Sequence, residues 1–153
     1  MKAFLLERYG PPQVLQMAEV ERPSPAADEA LVKVQAVSVN PADWRSMRAK
    51  PFFFRATLGL PRPKHRIPGG DVAGRVEAVG SGVQDFKPGD EVYANLLDHG
   101  SGGFAEYASV LVEVMALKPA NLSFEEAAAV PMAGVTALQG LLHHGEIQPG
   151  QGC

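Results

Sequence analysis

Two short polar segments of this 153-residue chain carry side chains that could do chemistry. NPADW, residues 40 to 44, follows an apolar run, and GGD occupies residues 69 to 71. The carboxamide of Asn40 can donate a hydrogen bond to a ligand oxygen, and carboxylates can accept hydrogen bonds or move protons. The alternative for Asn40 is a loop residue that caps a turn. For Trp44, the only tryptophan, the two possibilities are stacking on a flat ligand and burial in the core.

The glycine-rich stretch from 68 to 92 raises the question of a phosphate site. Such a site needs Gly-x-Gly-x-x-Gly between a strand and a helix, where backbone N–H groups and the helix dipole meet the anion. In GSGVQD, Asp85 stands at the third glycine position, and Pro88 with Gly89 leads toward another strand. We therefore predict structural roles: Gly80, Gly82 and Gly89 turn corners, and Gly74 lets its strand bend or pack closely.

Composition narrows the class of protein. Cys153 is the only cysteine, which excludes a disulfide or a four-cysteine zinc clip within the chain and fits a reducing cytosol. A net charge of −3 gives no sign of a nucleic-acid surface. We find neither a signal peptide nor an apolar run of membrane-spanning length. We expect a cytoplasmic protein without nucleic-acid or membrane partners. The four histidines show no metal-ligand spacing; they are His65, His99, His143 and His144.

The elements that must position the polar segments are mostly short strands. Glycine and proline together make up 29 of the 153 residues (16 + 13) and are spread along the chain, as in folds with many tight turns. Residues 29 to 40 form the clearest strand, with apolar residues alternating up to Pro41. Seven or eight strands at spacings near ten residues predict a β-barrel or sandwich.

Three segments depart from the strand pattern. Pro41 opens a short helix or an irregular turn. Residues 50 to 68 are predicted to form a long surface loop, whose Phe52 to Phe54 either line a ligand slot or anchor the loop. After Asn121 the pattern becomes helical, with a capping box from Ser123 to Glu126. Pro131 separates a short first helix from a second over roughly 133 to 144, closed by Gly145.

Several segments, in order along the chain, resemble the medium-chain dehydrogenase/reductase superfamily. They are MKAFLLERYGPPQVLQ, AVSVNPADW, GGDVAGRVEAVGSGVQDFKPGDEVYA, GGFAEYASV and AAAVPMAGVTALQGL. The resemblance implies a mainly β fold, a GroES-like partly open β-barrel with short helices, as a catalytic domain over residues 1–122. Residues 123–153 would be the helical lead-in to a Rossmann domain that the chain lacks. We expect this chain alone to be inactive and to leave Leu138, Leu141 and Leu142 exposed.

Two departures from the superfamily pattern bear on the chemistry. The zinc alcohol dehydrogenases have a Cys where this chain has Asn40 and a His where it has Gly70. A carboxamide and a hydrogen atom do not supply the ligands that zinc takes. The chain instead resembles the zinc-independent quinone oxidoreductases, which implies NADPH (NADH possible), no zinc, a small quinone or conjugated-carbonyl substrate and a homo-oligomeric full-length form. The alternatives are an alcohol dehydrogenase-like enzyme and a stand-alone GroES-like binding module.

The resemblance also suggests the site residues. Asn40 is expected to contact substrate or the cofactor ribose, and Thr136 to contact the cofactor. Asp43 either orients the pocket or caps the short helix, and Trp44 either walls the slot or lies in the core. Asp71 is expected to support the pocket, with proton transfer as a second possibility. The candidate catalytic residues are therefore Asn40, Asp43, Trp44 and Asp71; the candidate cofactor-binding residues are Asn40 and Thr136; no metal ligands are predicted.

Overall fold

The computed structural model describes residues 1–148 and 150, apart from the side chain of Phe54, so the single cysteine, Cys153, lies outside the described residues. The strands are β1 (Lys2–Leu6), β2 (Leu15–Glu19), β3 (Glu29–Val37), β4 (Asp71–Val79), β5 (Glu91–Asn95), β6 (Tyr107–Leu111) and β7 (Met115–Leu117). The α-helices are α1 (Pro41–Arg48), α2 (Arg55–Leu58), α3 (Phe124–Ala128) and α4 (Pro131–Leu138). Short 3₁₀ turns cover Pro12–Val14, Phe52–Phe54, Leu97–His99 and Val112–Val114, and a π-helical segment covers Gln139–His144.

The strands form two antiparallel sheets. One pairs β1 with β2, and the other has five strands in the order β6-β3-β4-β5-β7. A single bridge between Ala3 and Ala105 joins β1 to the segment before β6. Both sheets are open at their edges. The expected mainly β, partly open architecture with short helices is thereby confirmed.

The core lies on one face of the five-stranded sheet. Alternate residues of β4, such as Val72 and Val76, point into it and meet Val32 of β3 and Val92 of β5. This is the period-two burial that the sequence pattern predicts. On the opposite face, Ala73 packs against the small side chains of α3. The barrel core therefore fixes β3 and β4 relative to each other, and the candidate site lies where these strands meet.

The glycines of the central stretch have the structural roles predicted for them. A Cβ at Gly74 would collide with the carbonyl oxygen of Lys33 on the neighbouring strand β3. Gly89 has a φ of 96°, in the left-handed region that favours glycine, and it leads directly into β5. Because a turn and a strand follow Gly80, no helix amino terminus is present there to bind a phosphate.

The helices begin where their capping residues are. Pro41 is the first residue of α1, which ends at Ala49 with a left-handed φ of 43°. The predicted capping box is confirmed: Glu126 N donates to Ser123 Oγ at 3.2 Å, and Ser123 N donates to Glu126 Oε2 at 2.8 Å. α4 begins at Pro131, two residues before the predicted start, because proline is well accommodated in a first helical turn.

The segment from 50 to 68 is more ordered than predicted. It contains the 3₁₀ turn Phe52–Phe54 and the single-turn helix α2, whereas the sequence suggested an irregular loop. One turn of helix is too short to show a hydrophobic period, which explains the wrong prediction. Among the described residues, no helix combines the length and the apolarity needed to cross a bilayer.

Candidate active site

The site is built where β3 ends and β4 begins. The two strands are antiparallel, and Val37 at the end of β3 pairs with Val72 near the start of β4. This register brings the residues that follow β3 beside Asp71, the first residue of β4. Asn40 Nδ2 lies 3.0 Å from Asp71 Oδ2, and Ser38 Oγ donates to the same oxygen at 3.2 Å. Two segments that are 31 residues apart in sequence are thus one cluster in space.

Asp71 is the centre of this cluster and is fully buried. Its Oδ2 accepts from Ser38, from Asn40 and, at 3.1 Å, from the backbone N–H of Met132 in α4. Among the described residues, Oδ1 has no hydrogen-bond partner. Burial raises the pKa of Asp71 above its ordinary value, against the opposing effect of the three hydrogen bonds, and the nearby charge of Asp43 raises it further.

Asp43 is the second buried carboxylate and has two backbone donors. Its Oδ2 accepts from Asn40 N at 2.7 Å, and its Oδ1 accepts from Gly70 N at 2.9 Å. Burial raises the pKa of Asp43, and these two hydrogen bonds lower it by less. Of the two roles considered for Asp43, the capping of α1 is present in the geometry. Asp43 also ties that helix to the GGD segment, and its part in orienting the pocket stays a prediction.

Asn40 is the N-cap residue of α1, but its amide nitrogen is directed away from the helix. Nδ2 donates to Ser38 Oγ at 2.8 Å as well as to Asp71 Oδ2. The carboxamide oxygen faces the backbone N–H of Asp43 in a capping-box arrangement, although this contact is not a full cap hydrogen bond. The nitrogen that was expected to donate to a ligand is therefore engaged inside the protein, and Oδ1 is the less occupied polar atom of this side chain.

A cavity of about 770 Å³ lies between α1, α2 and α4. This volume falls within the range of small-molecule sites. Asn40 lines one wall and Thr136 the facing wall, so two residues proposed to contact the cofactor lie in the same cavity. Its other lining residues are mostly apolar: Pro41, Ala42, Arg45, Ser46, Thr57, Leu58, Met132, Ala133 and Ala137.

The structure does not bring the aromatic candidates to this cavity. Trp44 is 44% exposed and lies between the guanidinium groups of Arg45 and Arg48, 5.6 and 5.5 Å from its ring centre. It belongs neither to the buried core nor to the cavity wall. Phe52 and Phe53 are about two-thirds exposed and are likewise absent from the lining, so they are not buried loop anchors either. The alternatives that bury these aromatic residues are therefore wrong for the described chain, because all three side chains are exposed. Their contact with a ligand stays a prediction.

Sequence reasoning missed two members of the cluster. Ser38 lies two residues before Asn40 in extended backbone, and residues two apart share a face, so this position could have been found from the strand period. Met132 carries no such signal, because its contact with Asp71 spans 61 residues and depends on how α4 packs on the barrel.

Gly70, which stands where the zinc alcohol dehydrogenases have a His ligand, has close neighbours. A Cβ built at Gly70 would lie 3.3 Å from Met132 Cε and 3.6 Å from both Asp43 Oδ1 and Leu97 Cβ. Across the part of the chain that the structure describes, no group of three or more His, Cys, Asp or Glu side chains is arranged to hold a metal ion. The side chains in this region that could offer an atom to a metal ion are one carboxamide and two carboxylates, and all three already form hydrogen bonds within the protein.

Comparison with known proteins agrees with this architecture. Residues 26–120 match the model of the alcohol dehydrogenase GroES-like domain. The chain is 43% identical over 129 residues to the chloroplast envelope quinone oxidoreductase homolog of Arabidopsis thaliana, covering 83% of this chain and 37% of that protein. It is 40% identical over 149 residues to the chloroplastic NADPH-dependent alkenal/one oxidoreductase of the same plant, covering 93% and 37%.

A solved structure shows the same fold over nearly the whole chain. The quinone oxidoreductase from Coxiella burnetii superposes with a TM-score of 0.87 at 32% identity, covering 98% of this chain and 46% of that one. The chain therefore spans less than half the length of these relatives. The superfamily resemblance drawn from the segments above is confirmed, and the chain belongs to the family of alcohol dehydrogenase GroES-like domains.

Proposed function

We propose that this chain is the catalytic domain of an NADPH-dependent oxidoreductase that reduces quinones or conjugated carbonyls by direct hydride transfer without zinc. The names of its relatives support the reaction class, since they include quinone oxidoreductases and an NADPH-dependent alkenal/one oxidoreductase. The wider assignment is part of the same proposal: residues 123–153 lead into a nucleotide-binding domain, and the full-length protein is a cytoplasmic homo-oligomer.

The observation that carries the zinc-free reading is the hydrogen bond between Asn40 and Asp71. Where zinc alcohol dehydrogenases have a Cys, this chain has Asn40, whose carboxamide is bound to the Asp71 carboxylate. Where they have a His, it has Gly70, and Met132 Cε lies 3.3 Å from the place a Cβ would take. The polar groups of Asn40 and Asp71 bind each other instead of converging on a metal ion. An acceptor whose negative charge is delocalised by conjugation does not need the Lewis acid that stabilises an alkoxide.

The cavity between α1 and α4 has the character that such a reaction requires. When bound, NADPH supplies the hydride, and a proton from water completes the reduction of the acceptor. The mostly apolar lining suits a flat ligand, while Asn40 and Thr136 offer polar atoms from facing walls. We propose that Asn40 Oδ1 accepts from a hydroxyl group of the cofactor ribose, because Asn40 Nδ2 is already engaged.

The test is an assay of the intact gene product. NADPH oxidation should be followed with a benzoquinone and with an α,β-unsaturated ketone as acceptors, alongside NADP⁺ with a primary alcohol. We expect turnover with at least one conjugated acceptor and none with the alcohol, both before and after dialysis against a chelator. Alcohol oxidation would favour the alcohol dehydrogenase-like alternative. Absence of any NADPH-dependent turnover, with no binding of NADPH, would favour the stand-alone module.

The same preparation tests the metal proposal directly. Elemental analysis of the intact protein should give less than stoichiometric zinc. One zinc per chain whose removal abolishes turnover would contradict the proposal, even if the acceptor class were correct.

A further inference from the structure

Ser38 takes part in a closed set of hydrogen bonds with Asn40 and Asp71. Ser38 Oγ lies 2.8 Å from Asn40 Nδ2 and 3.2 Å from Asp71 Oδ2, and the third side, from Asn40 Nδ2 to Asp71 Oδ2, is 3.0 Å. All three residues are buried or half-buried. The triangle is short on every side, and it lies at the wall of the cavity between α1 and α4 that Asn40 lines.

The direction of each hydrogen bond in this triangle follows from chemistry. The amide nitrogen of Asn40 can only donate, so the single hydroxyl hydrogen of Ser38 points to Asp71. The Ser38 oxygen must then accept from Asn40, which requires the amide nitrogen to face it. Asp71 imposes the same orientation on Asn40 independently. A flipped amide would set its oxygen against Asp71 Oδ2 and would take the Ser38 hydroxyl hydrogen away from Asp71, so the set of hydrogen bonds would no longer close.

From this geometry we infer that Ser38 is a positioning residue. Together with Asp71 it holds the Asn40 carboxamide in one orientation, in which the oxygen faces the Asp43 N–H and keeps a second lone pair for a ligand. The inference rests on the proposed function only in the identity of that ligand, a hydroxyl-bearing nicotinamide nucleotide. Ser38 itself does not line the cavity and acts through Asn40. Asp71 Oδ2 also accepts from the backbone N–H of Met132 in α4. The same oxygen therefore connects Asn40 on one wall of the cavity to α4, which forms the other wall.

The functional test is made in the intact gene product with Ser38→Ala, Ser38→Thr and a matched control, Ser109→Ala. Ser109 also donates to a carboxylate, Glu29 Oε2 at 2.7 Å, but on β6. We expect Ser38→Ala to raise the KM for NADPH about five- to tenfold, the size of one lost hydrogen bond, while kcat changes less than about twofold. Ser38→Thr keeps the hydroxyl and should restore most of the affinity, and Ser109→Ala should leave KM unchanged.

A second measurement does not depend on activity. With ¹⁵N-asparagine labelling, the side-chain amide of Asn40 is assigned by its loss in Asn40→Asp, and its hydrogen exchange is followed by NMR. We expect Ser38→Ala to speed exchange of the Asn40 amide at least about tenfold, because a donor that leaves its acceptor becomes open to water. The signal of Asn121 should not change, and neither should that of Asn40 in Ser109→Ala.

The two measurements separate failure of this inference from failure of the proposed function. If the wild-type protein does not turn over NADPH but Asn40 exchange still responds to Ser38→Ala, the positioning role stands and the ligand is wrong. If Asn40 exchange and the KM are both unchanged in Ser38→Ala, the positioning role is refuted. An equal loss in Ser109→Ala would also refute it, since the effect would then be general destabilisation.

Discussion

The backbone N–H of Met132 donates to Asp71 Oδ2 at 3.1 Å, which ties the first turn of α4 to the first residue of β4. The same oxygen holds the amide of Asn40. Asp71 therefore fixes the distance between the two walls of the cavity, one formed by α1 and the other by α4. Removing this carboxylate would free both walls at once, although Asp71 itself lies behind the lining and not in it.

The free energy of unfolding should depend on pH through the raised pKa of the buried Asp71 carboxyl group. Its pKa is raised above the ordinary 3.8, chiefly by burial, so the native state binds the proton more tightly than the unfolded state does. The stability that this side chain contributes is therefore fully present below about pH 4 and is lost as pH rises through the raised pKa. We expect the free energy of unfolding of the wild type, relative to Asp71→Asn, to fall as pH rises, measured by urea denaturation.

Asp90→Asn is the matched control for this experiment. Hydrogen bonds to the side chain and backbone of Lys87 hold the pKa of Asp90 below its usual range. The stability contributed by Asp90 should therefore be present above about pH 4 and lost as pH falls, the opposite sign to Asp71. Parallel pH profiles for wild type and Asp71→Asn would contradict the raised pKa.

Local features of this fold could be predicted from sequence, because their causes are local. The start of α1 at Pro41 and the capping box of Ser123 depend on neighbours within three residues. The strands follow from period-two burial, and the open architecture follows from their number and spacing together with the family resemblance. The roles of Gly74 and Gly89 could likewise be predicted, Gly74 from its place inside a strand and Gly89 from the turn around it.

The candidate site was only partly predictable, because its decisive contacts are long-range. Asn40, Asp43 and Asp71 are brought together as the motifs suggested, but the direction of the Asn40 amide depends on Ser38 and Asp71 jointly. The helical packing that places Met132 over Gly70 has no local signature. Residue type did not decide the burial of Trp44 either, since this side chain is 44% exposed and lies outside the core.

Introducing a histidine at Gly70 should destabilise the protein instead of completing a metal site. Even a Cβ there would be 3.3 Å from Met132 Cε, tighter than most packing contacts, and 3.6 Å from both Asp43 Oδ1 and Leu97 Cβ. We expect Gly70→His to lower the free energy of unfolding by about 1–3 kcal/mol, the usual cost of overpacking. Thermal and urea denaturation provide the measurement.

A double-mutant cycle identifies the cause of that loss. If Met132 is the obstacle, Met132→Ala should cost less in the Gly70→His background than in the wild type, with a coupling of at least about 0.5 kcal/mol. Gly140→His is the control, because a Cβ at Gly140 meets nothing within 4 Å and its effect should stay within about 0.5 kcal/mol. Additive costs would show that Met132 is not what fills the position.

The outer face of α4 and the following π-helical segment should promote association of the 153-residue chain. Leu138, Leu141 and Leu142 are 55%, 44% and 50% exposed, as expected from sequence, and Val135 adds to the same apolar surface. Contiguous apolar surface of this kind is usually covered by protein. We expect Leu138→Glu to reduce self-association in sedimentation velocity and dye binding by anilinonaphthalene sulfonate, without lowering the melting temperature. If the wild-type chain and Leu138→Glu associate equally, this apolar surface is not the cause of self-association.

Titration of the 153-residue chain with NADPH should show binding weaker than about 1 mM, which corresponds to only about 4 kcal/mol. The cavity offers polar contacts from Asn40 and Thr136 but, among the described residues, none of its lining segments is a glycine-rich turn that could hold the phosphates. In the intact gene product, we expect affinity at least about a hundredfold higher, because the phosphates then contribute to binding. Fluorescence titration of the two forms under identical salt measures this ratio. Micromolar binding of NADPH to the 153-residue chain, abolished by Asn40→Ala, would show that this domain alone carries the nucleotide site. It would contradict the proposal that a separate nucleotide-binding domain supplies the phosphate contacts.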